Sequence, residues 1–213
     1  MEEKRNYASL SGVIVSPFYL SQETEDGLCY MVYVSVQRLS DTEDVIPVMV
    51  PAKLLPSIIQ DETGRTVYAE GNFQSRNRRY GGKSHLDLFL YAEVLEFDID
   101  SIHSFNNNII SLDGFLCKKP VLRITPLGRS IADIFIAVNR PNGRSDYIPC
   151  IAWGENARYS ENLTVGDRIH VKGRMQSREY TKKIDEGKYE KWIAYEVSCG
   201  AIDSESKKVN VSN

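Results

Sequence analysis

The sequence lacks several features that would assign it to a familiar class. It has no apolar run of about 18 residues, which a membrane-spanning helix needs, and its start, M-E-E-K-R-N-Y, has no apolar segment typical of a secretory signal. Its four cysteines show no C-x-x-C spacing and its three histidines no cluster, so we expect free thiols in a reducing cytoplasm and no metal site. Paired carboxylate motifs, a glycine-rich phosphate loop and a nucleophile beside a base are also missing. These absences favour a protein that is not an enzyme and that uses neither a cofactor nor a small-molecule substrate.

Charge is distributed unevenly along the chain. The net charge of −3 argues weakly against nucleic acid as a partner. However, residues 1–104 carry 9 basic and 16 acidic side chains, whereas residues 105–213 carry 17 basic and 13 acidic ones. This asymmetry suggests that the second half meets a polyanion and the first half does not.

Three short motifs recur at a spacing of 102 residues. They are L-S-G at 10–12 and L-D-G at 112–114, I-P at 46–47 and 148–149, and G-x-x-Q-S-R at 71–76 and 173–178. Three ordered pairs at one offset indicate that a whole domain has been duplicated. We predict domains at residues 1–100 and 106–200, joined by a short linker, and a flexible tail at 201–213.

Both halves show the same order of predicted elements. In the second half, strands are predicted at residues 109–117, 130–139, 145–153, 168–177 and 189–199, with a helix at 155–162. In the first half, strands are predicted at 9–15, 30–38, 44–50, 66–75 and 85–96, with a short helical turn within 52–60. Five strands with one helix between strands three and four are typical of an OB-fold, a five-stranded Greek-key barrel. The prediction is therefore an all-β protein of two tandem OB-folds.

The strand predicted at 145–153 presents two different faces. Ile148, Cys150 and Ala152 suit a core, whereas Tyr147 and Trp153 lie on the opposite side. Six residues of strand span about 20 Å, so the two rings would stand well apart on one surface. They either serve a ligand or pack under a loop or a neighbouring subunit.

The predicted fourth strand of the second half is basic on one face. That face carries Arg168, His170, Lys172, Arg174, Gln176 and Arg178, and Tyr180, Lys182 and Lys183 follow. A solvated strand face usually mixes charge signs, whereas this one contains no acid. Aromatic rings interleaved with Lys and Arg are what single-stranded nucleic acid requires, because bases stack on the rings and phosphates follow the positive charge.

At this point the second half resembles the bacterial single-stranded-DNA-binding proteins. The resemblance rests on N-x-I-x-L-x-G-x-L, P-V-L-R-I-T-P-L-G, A-D-I-F-I-A-V-N-R, D-Y-I-P-C-I-A-W-G and G-D-R-I-H-V-K-G-R-M-Q-S-R-E-Y, in the family's order, between Asn108 and Ser198. It implies an OB-fold, no catalysis and sequence-independent binding of single strands. By position it makes Tyr147, Trp153 and Tyr180 base-stacking residues, and Lys118, Arg123 and Arg140 basic contacts. Lys172, Arg174, Arg178 and Lys182 complete the predicted binding set.

The first half matches this pattern less well. At the 102-residue offset, Val45 replaces Tyr147, Pro51 replaces Trp153 and Glu70 replaces Lys172. A loop is predicted at 76–83, R-N-R-R-Y-G-G-K, which either clamps a strand or is a solvated hairpin tip. Its secondary candidate residues are Arg76, Arg78, Arg79 and Tyr80. We expect this half to bind weakly and to act mainly as a scaffold or as an oligomerisation partner.

Trp192, in the predicted fifth strand, is a further secondary candidate. It either stacks a base, covers a subunit contact or occupies a rim position. Its expected counterpart in the first half is Phe89, which favours an interface role.

The resemblance also implies partners. Family members usually carry one OB-fold and assemble as tetramers, so two OB-folds per chain imply a homodimer with four. The predicted function is the binding and protection of single-stranded DNA in replication, recombination or repair. The alternative is an OB-fold interaction module of a replication or mobile-element complex that binds nucleic acid weakly.

Overall fold

The computed structural model describes residues 5–24, 27–40, 42–80, 82–100, 107–185 and 187–205. As predicted, this part of the chain is nearly all β, with a single α-helix among the described residues. None of its helices has the length and apolar character needed to cross a membrane.

Twelve strands, one helix and one 3-10 turn make up the described structure. In the first half they are β1 (Asn6–Ile14), β2 (Tyr19–Thr24), β3 (Gly27–Gln37), β4 (Glu43–Pro51), a 3-10 turn (Ala52–Leu54), β5 (Thr66–Tyr80) and β6 (Lys83–Phe97). In the second half they are β7 (Asn108–Leu116), β8 (Val121–Ile124), β9 (Ser130–Asn139), β10 (Ser145–Trp153), α1 (Gly154–Ser160), β11 (Arg168–Asp185) and β12 (Lys188–Glu205).

The chain divides into two compact units. Unit 1 consists of Met1–Asn6, Ser111–Arg174 and Val197–Asn213, and unit 2 of Tyr7–Ile110 and Met175–Glu196. Unit 2 therefore contains, besides most of the first half, the distal part of the β11–β12 hairpin.

The same scheme of strand pairing occurs in each half of the chain. In the second half, neighbouring strands follow the order β7-β11-β12-β10-β9, and a further pairing of β7 with β9 closes the ring. In the first half the order is β1-β5-β6-β4-β3, closed by the pairing of β3 with β1. Both rings contain one parallel pair, β10 with β12 and β4 with β6. Each ring is thus a closed five-stranded barrel.

Period-two alternation fills the barrel interior of unit 1. On β9, Ala132, Ile134, Ile136 and Val138 are buried, and on β10 the alternate residues at 146, 148, 150 and 152 are buried. Since β9 and β10 pair in register over nine residue pairs, these residues form one continuous apolar layer, apart from the carboxylate of Asp146. The residues between them point outward.

Glycines stand where strands approach each other most closely. A Cβ atom on Gly173 would lie 2.0 Å from the carbonyl oxygen of Ser198, and one on Gly114 would lie 2.6 Å from that of Ala137. Backbone atoms of a paired strand cannot move aside, so any side chain at these positions would force the strands apart. This explains two of the glycines in the repeated motifs.

Several element boundaries differ from the sequence-based prediction. The residues expected as loops at 76–80 and 178–185 are strand, because β5 with β6 and β11 with β12 pair far beyond the barrels. In the first half, the short helical turn expected within 52–60 is a three-residue 3-10 turn, since the chain is extended again by Leu55 and Pro56 follows. β2 and β8 were not predicted.

The predicted tail begins within a strand. β12 continues through Glu205, and Ile202 is buried, so residues 201–205 are part of unit 1. Residues 206–213 lie outside the described part of the chain.

The expected correspondence of Trp192 with Phe89 is wrong. Leu90 of β6 pairs with Val48 of β4, and Val197 of β12 pairs with Cys150 of β10. Val48 and Cys150 are corresponding residues 102 positions apart, so their partners Leu90 and Val197 also correspond, at an offset of 107. The difference from 102 arises because the β11–β12 hairpin is longer than the β5–β6 hairpin. Trp192 therefore corresponds to His85.

We expect Gly173→Ala to lower the free energy of unfolding by about 2 kcal/mol, because the added methyl group overlaps the Ser198 carbonyl. Gly200→Ala is the matched control, since its Cβ would lie 3.6 Å from its nearest neighbour. Urea denaturation of both variants measures the difference. Equal stability of the two would contradict this account of strand closure.

Candidate nucleic-acid interface

The outward side of β9 and β10 in unit 1 forms a partly exposed surface, which we call the β9–β10 face. Tyr147 and Trp153 lie on it and are 42% and 41% exposed. Between them on β10 are Pro149, half-buried, and Ile151, largely buried. The face therefore offers two accessible rings separated by an apolar floor, as the alternation of this strand predicted.

A second aromatic residue supports Tyr147. The Phe135 ring on β9 stacks on the Tyr147 ring, with centroids 6.1 Å apart and an angle of 20° between the planes. The Lys118 ammonium lies 5.0 Å from the centroid of Phe135, in a cation–π contact. Sequence reasoning missed Phe135, although its position in the alternation of β9, between Ile134 and Ile136, already placed it on the outward side. Lys118, Phe135 and Tyr147 thus form one layered cluster.

At the other end of the face, Trp153 lies in a row with Arg123. Trp153 pairs with Ile131 of β9, and Ile131 pairs with Arg123 of β8. The Arg123 guanidinium donates to the Asp133 carboxylate at 2.6 Å, and both side chains are about half exposed. Because such exposed ion pairs contribute little energy, Arg123 remains accessible to a competing phosphate.

Arg140 has a different environment from the other predicted contacts. Its Nε donates to Asp146 Oδ2 at 2.7 Å, and a second nitrogen donates to Asp146 Oδ1. The Asp146 carboxylate is almost fully buried. Since a buried carboxylate that loses its cation is strongly destabilising, this guanidinium has a structural role in the β9–β10 turn.

Basic residues of β11 in unit 1 vary in how their charge is balanced. Lys172 is exposed and Arg174 is half-buried. Arg168 donates through two nitrogens to Asp113, at 2.9 and 2.6 Å, and also pairs with Glu205 at 3.0 Å. This pairing lowers the pKa of Asp113 below its usual range, chiefly through the hydrogen bonds from Arg168. The charge of Arg168 is thus balanced by two carboxylates.

The remaining predicted contacts of the second half lie in unit 2. Arg178 and Tyr180 are exposed, and the Arg178 guanidinium lies 5.9 Å from the Tyr180 ring and 3.6 Å from Glu196. The Lys182 ammonium lies 4.8 Å above the Trp192 ring. These residues belong to the distal β11–β12 hairpin.

Trp192 itself stacks on a residue of the first half. Its ring lies nearly parallel to that of His85, with centroids 5.2 Å apart and an angle of 9°. Lys182 and His85 both contact the indole ring, so it has little free area for a base. Of the roles considered for Trp192, these contacts favour packing between two hairpins of unit 2.

The secondary candidates on β5 share one carboxylate. Arg78 lies 3.0 Å and Arg76 lies 3.4 Å from Asp87, and Arg76 also donates to Gln22 at 2.7 Å. Arg79 is exposed. The Tyr80 side chain lies outside the described residues. The Arg76 guanidinium also lies 5.7 Å from the centroid of the Phe89 ring. That ring is buried, whereas the Tyr147 and Trp153 rings of unit 1 are exposed.

The corresponding face of the first half is filled by apolar side chains. Cys29, Met31, Met49 and Phe89 form a buried cluster on the outward side of β3, β4 and β6, with Tyr91 packed against it. Pro51, the counterpart of Trp153, is also buried. This part of the face is therefore closed by apolar side chains.

A family model described as the single-strand binding protein family matches residues 107–199. The match covers most of the second half of the chain, which is similar to this family over that segment. Single-stranded DNA-binding protein 3 of Listeria innocua is 41% identical over 80 residues, covering 34% of this chain and 50% of that protein. A Thermus thermophilus single-stranded DNA-binding protein is 26% identical over 145 residues, covering 61% of this chain and 54% of that protein. The chain spans about half the length of the relatives it matches.

The fold of the chain also resembles a solved structure of a single-stranded DNA binding protein. The wild-type single-stranded DNA binding protein from Thermus aquaticus superposes with a TM-score of 0.73 at 19% identity, covering 98% of this chain and 96% of that one. A deletion mutant of the same protein gives a TM-score of 0.70. At this identity the likeness establishes the fold.

Arg140→Gln and Lys118→Gln should separate a structural cation from a binding one. We expect Arg140→Gln to lower the free energy of unfolding by about 3 kcal/mol, because Asp146 remains buried without its partner. Lys118→Gln should leave stability unchanged and weaken binding to an oligothymidine. Denaturant unfolding and fluorescence titration measure the two effects, and a larger loss of stability for Lys118→Gln would contradict the assignment.

Proposed function

We propose that this protein binds and protects single-stranded DNA without catalysis, in replication, recombination or repair, and that the β9–β10 face of unit 1 is its principal binding surface. The observation that carries this proposal is the pair of accessible rings, Tyr147 and Trp153, on a face bordered by the exposed cations Lys118 and Arg123. The relatives named above are single-stranded DNA-binding proteins, which supports the same conclusion.

The chemistry of the face suits single strands and is independent of sequence. An exposed base has an aromatic surface whatever its identity, and stacking on a protein ring stabilises binding by roughly 1–3 kcal/mol per base. Lys118 and Arg123 lie at opposite ends of the face, next to the Phe135–Tyr147 stack and to the Trp153 row. Phosphates of a strand running along β10 would therefore meet a cation beside each ring.

The proposal includes two tandem OB-folds with different tasks. The closed five-stranded pairing found in each half supports it. The first half serves as a scaffold, because its corresponding face is occupied by the Cys29–Met31–Met49–Phe89 cluster and its β5 arginines share Asp87. Arg178, Tyr180 and Lys182 of the distal hairpin in unit 2 are further proposed contacts of the strand.

We further propose that the protein acts in the cytoplasm as a homodimer with four OB-folds. All four cysteines are free thiols, which suits a reducing compartment. Light scattering of the full chain tests the assembly: a dimer mass is expected, and a monomer or tetramer mass would contradict it.

Replacing both rings should remove most of the affinity. We expect Tyr147→Ala with Trp153→Ala to weaken binding to an oligothymidine about 30-fold or more, because two stacking contacts are lost. The titration follows the fluorescence of Trp153 for the parent protein, in a Trp192→Phe background so that the signal comes from one residue. Fluorescence anisotropy of a labelled oligonucleotide follows the double variant.

Tyr159→Ala serves as the matched control, since Tyr159 is exposed to a similar degree but lies on α1. Its affinity should equal that of the parent. Affinity should also fall with rising salt, with a slope that decreases by about 0.7 for each phosphate-binding cation removed. Unchanged affinity of the double variant would overturn the assignment of the face, whereas weak binding by the parent itself would favour the interaction-module alternative.

A further inference from the structure

Three residues form a row across β7, β9 and β10, and only one of them, Tyr147, belongs to the proposed binding set. Ala137 of β9 pairs with Phe115 of β7 on one side and with Tyr147 of β10 on the other. Paired residues of neighbouring strands point to the same side of a sheet, so all three lie on the β9–β10 face. Phe115 is 41% exposed, almost as much as Tyr147.

The row has the dimensions of a slot for one aromatic ring. Neighbouring strands lie about 4.8 Å apart, so the Phe115 and Tyr147 positions are separated by about 10 Å. A ring placed midway, over the small Ala137 side chain, would lie about 5 Å from each of the outer rings. This distance falls within the range of about 4.5–7 Å that stacked aromatic pairs adopt.

The Tyr147 ring has a packing partner within the β9–β10 face. It stacks on Phe135, and the Lys118 ammonium lies over the Phe135 ring in turn. A ring held in place loses little conformational entropy when a base is added. Lys118 also follows closely after Phe115 in the chain, which places a cation near the phosphate of a base bound there.

The same row in the first half of the chain contains no ring. There, Ser35 pairs with Val13 and with Val45. The Ser35 hydroxyl donates to the Glu43 carboxylate at 2.7 Å, which would repel a phosphate. The slot is therefore a feature of the second half alone, not a consequence of the pairing scheme.

From this arrangement we infer that one nucleobase of the bound strand occupies the space above Ala137, between Phe115 and Tyr147. Phe115 is then a further base-contacting residue, and the size of residue 137 decides whether a base can enter. The inference rests on the proposed function and specifies a subsite of the same surface.

The test uses two variants of the full chain. Phe115→Leu keeps an apolar side chain but removes the ring, and Ala137→Leu keeps both rings but fills the space between them. Val165→Ala is the control, because Val165 is exposed and lies in the loop between α1 and β11, outside the three strands that form the row. Binding is measured to an oligothymidine of about 15 nucleotides and to an abasic oligomer of the same length, which has phosphates but no bases.

We expect both variants to bind the oligothymidine about tenfold more weakly than the parent and to bind the abasic oligomer with the parent's affinity. Val165→Ala should match the parent on both. Thermal unfolding shows whether each variant is folded. If Phe115→Leu does not fold, the binding of Ala137→Leu still tests the subsite. Unchanged oligothymidine affinity, or an equal loss on the abasic oligomer, would overturn the subsite while leaving the proposed function standing. Failure of the parent to bind either oligomer would overturn both.

Discussion

The closing contact between β7 and β9 is the constraint on which the binding surface depends. It exists because residue 114 is a glycine, whose missing side chain lets β7 reach the carbonyl of Ala137. The contact completes the five-stranded ring, so that alternate residues of β9 face a closed core. It also brings Phe115 into the row of Ala137 and Tyr147. Barrel closure and the geometry of the face thus have the same cause.

The two halves of the chain share one scheme of strand pairing but differ in the side chains on their outward faces. Their barrels are closed in the same way, yet one outward face presents Tyr147 and Trp153 and the other is sealed around Met49 and Phe89. Burying a side chain such as Met49 or Phe89 stabilises a fold by about 1.5–3 kcal/mol. The first half gains stability from this face, whereas the second half leaves rings accessible to a ligand. This difference is the basis of the proposed division into scaffold and binder.

The sequence alone predicted features that depend on period-two alternation within a strand. It missed features that depend on contacts between residues distant in the chain. The faces of β10 follow from period-two patterning, so the exposure of Tyr147 could be predicted. Residues 76–80 were predicted as a loop because they lack an apolar pattern. They form a strand because β5 pairs with β6 over this length. Phe115 was missed because its place beside Ala137 depends on cross-strand register. Arg140 was predicted as a DNA contact because its partner, Asp146, becomes visible only once the turn is folded.

The buried ion pair at the β9–β10 turn, Arg140 with Asp146, also affects the register of β10 against β9. Moving β10 by one residue against β9 would turn Tyr147 and Trp153 into the barrel and Ile148 and Cys150 out to solvent. Apolar side chains on both faces would tolerate such a slip at moderate cost. The slip would, however, separate Asp146 from Arg140. The salt bridge therefore favours the strand register in which Tyr147 and Trp153 face outward, and the proposed binding of DNA depends on that register.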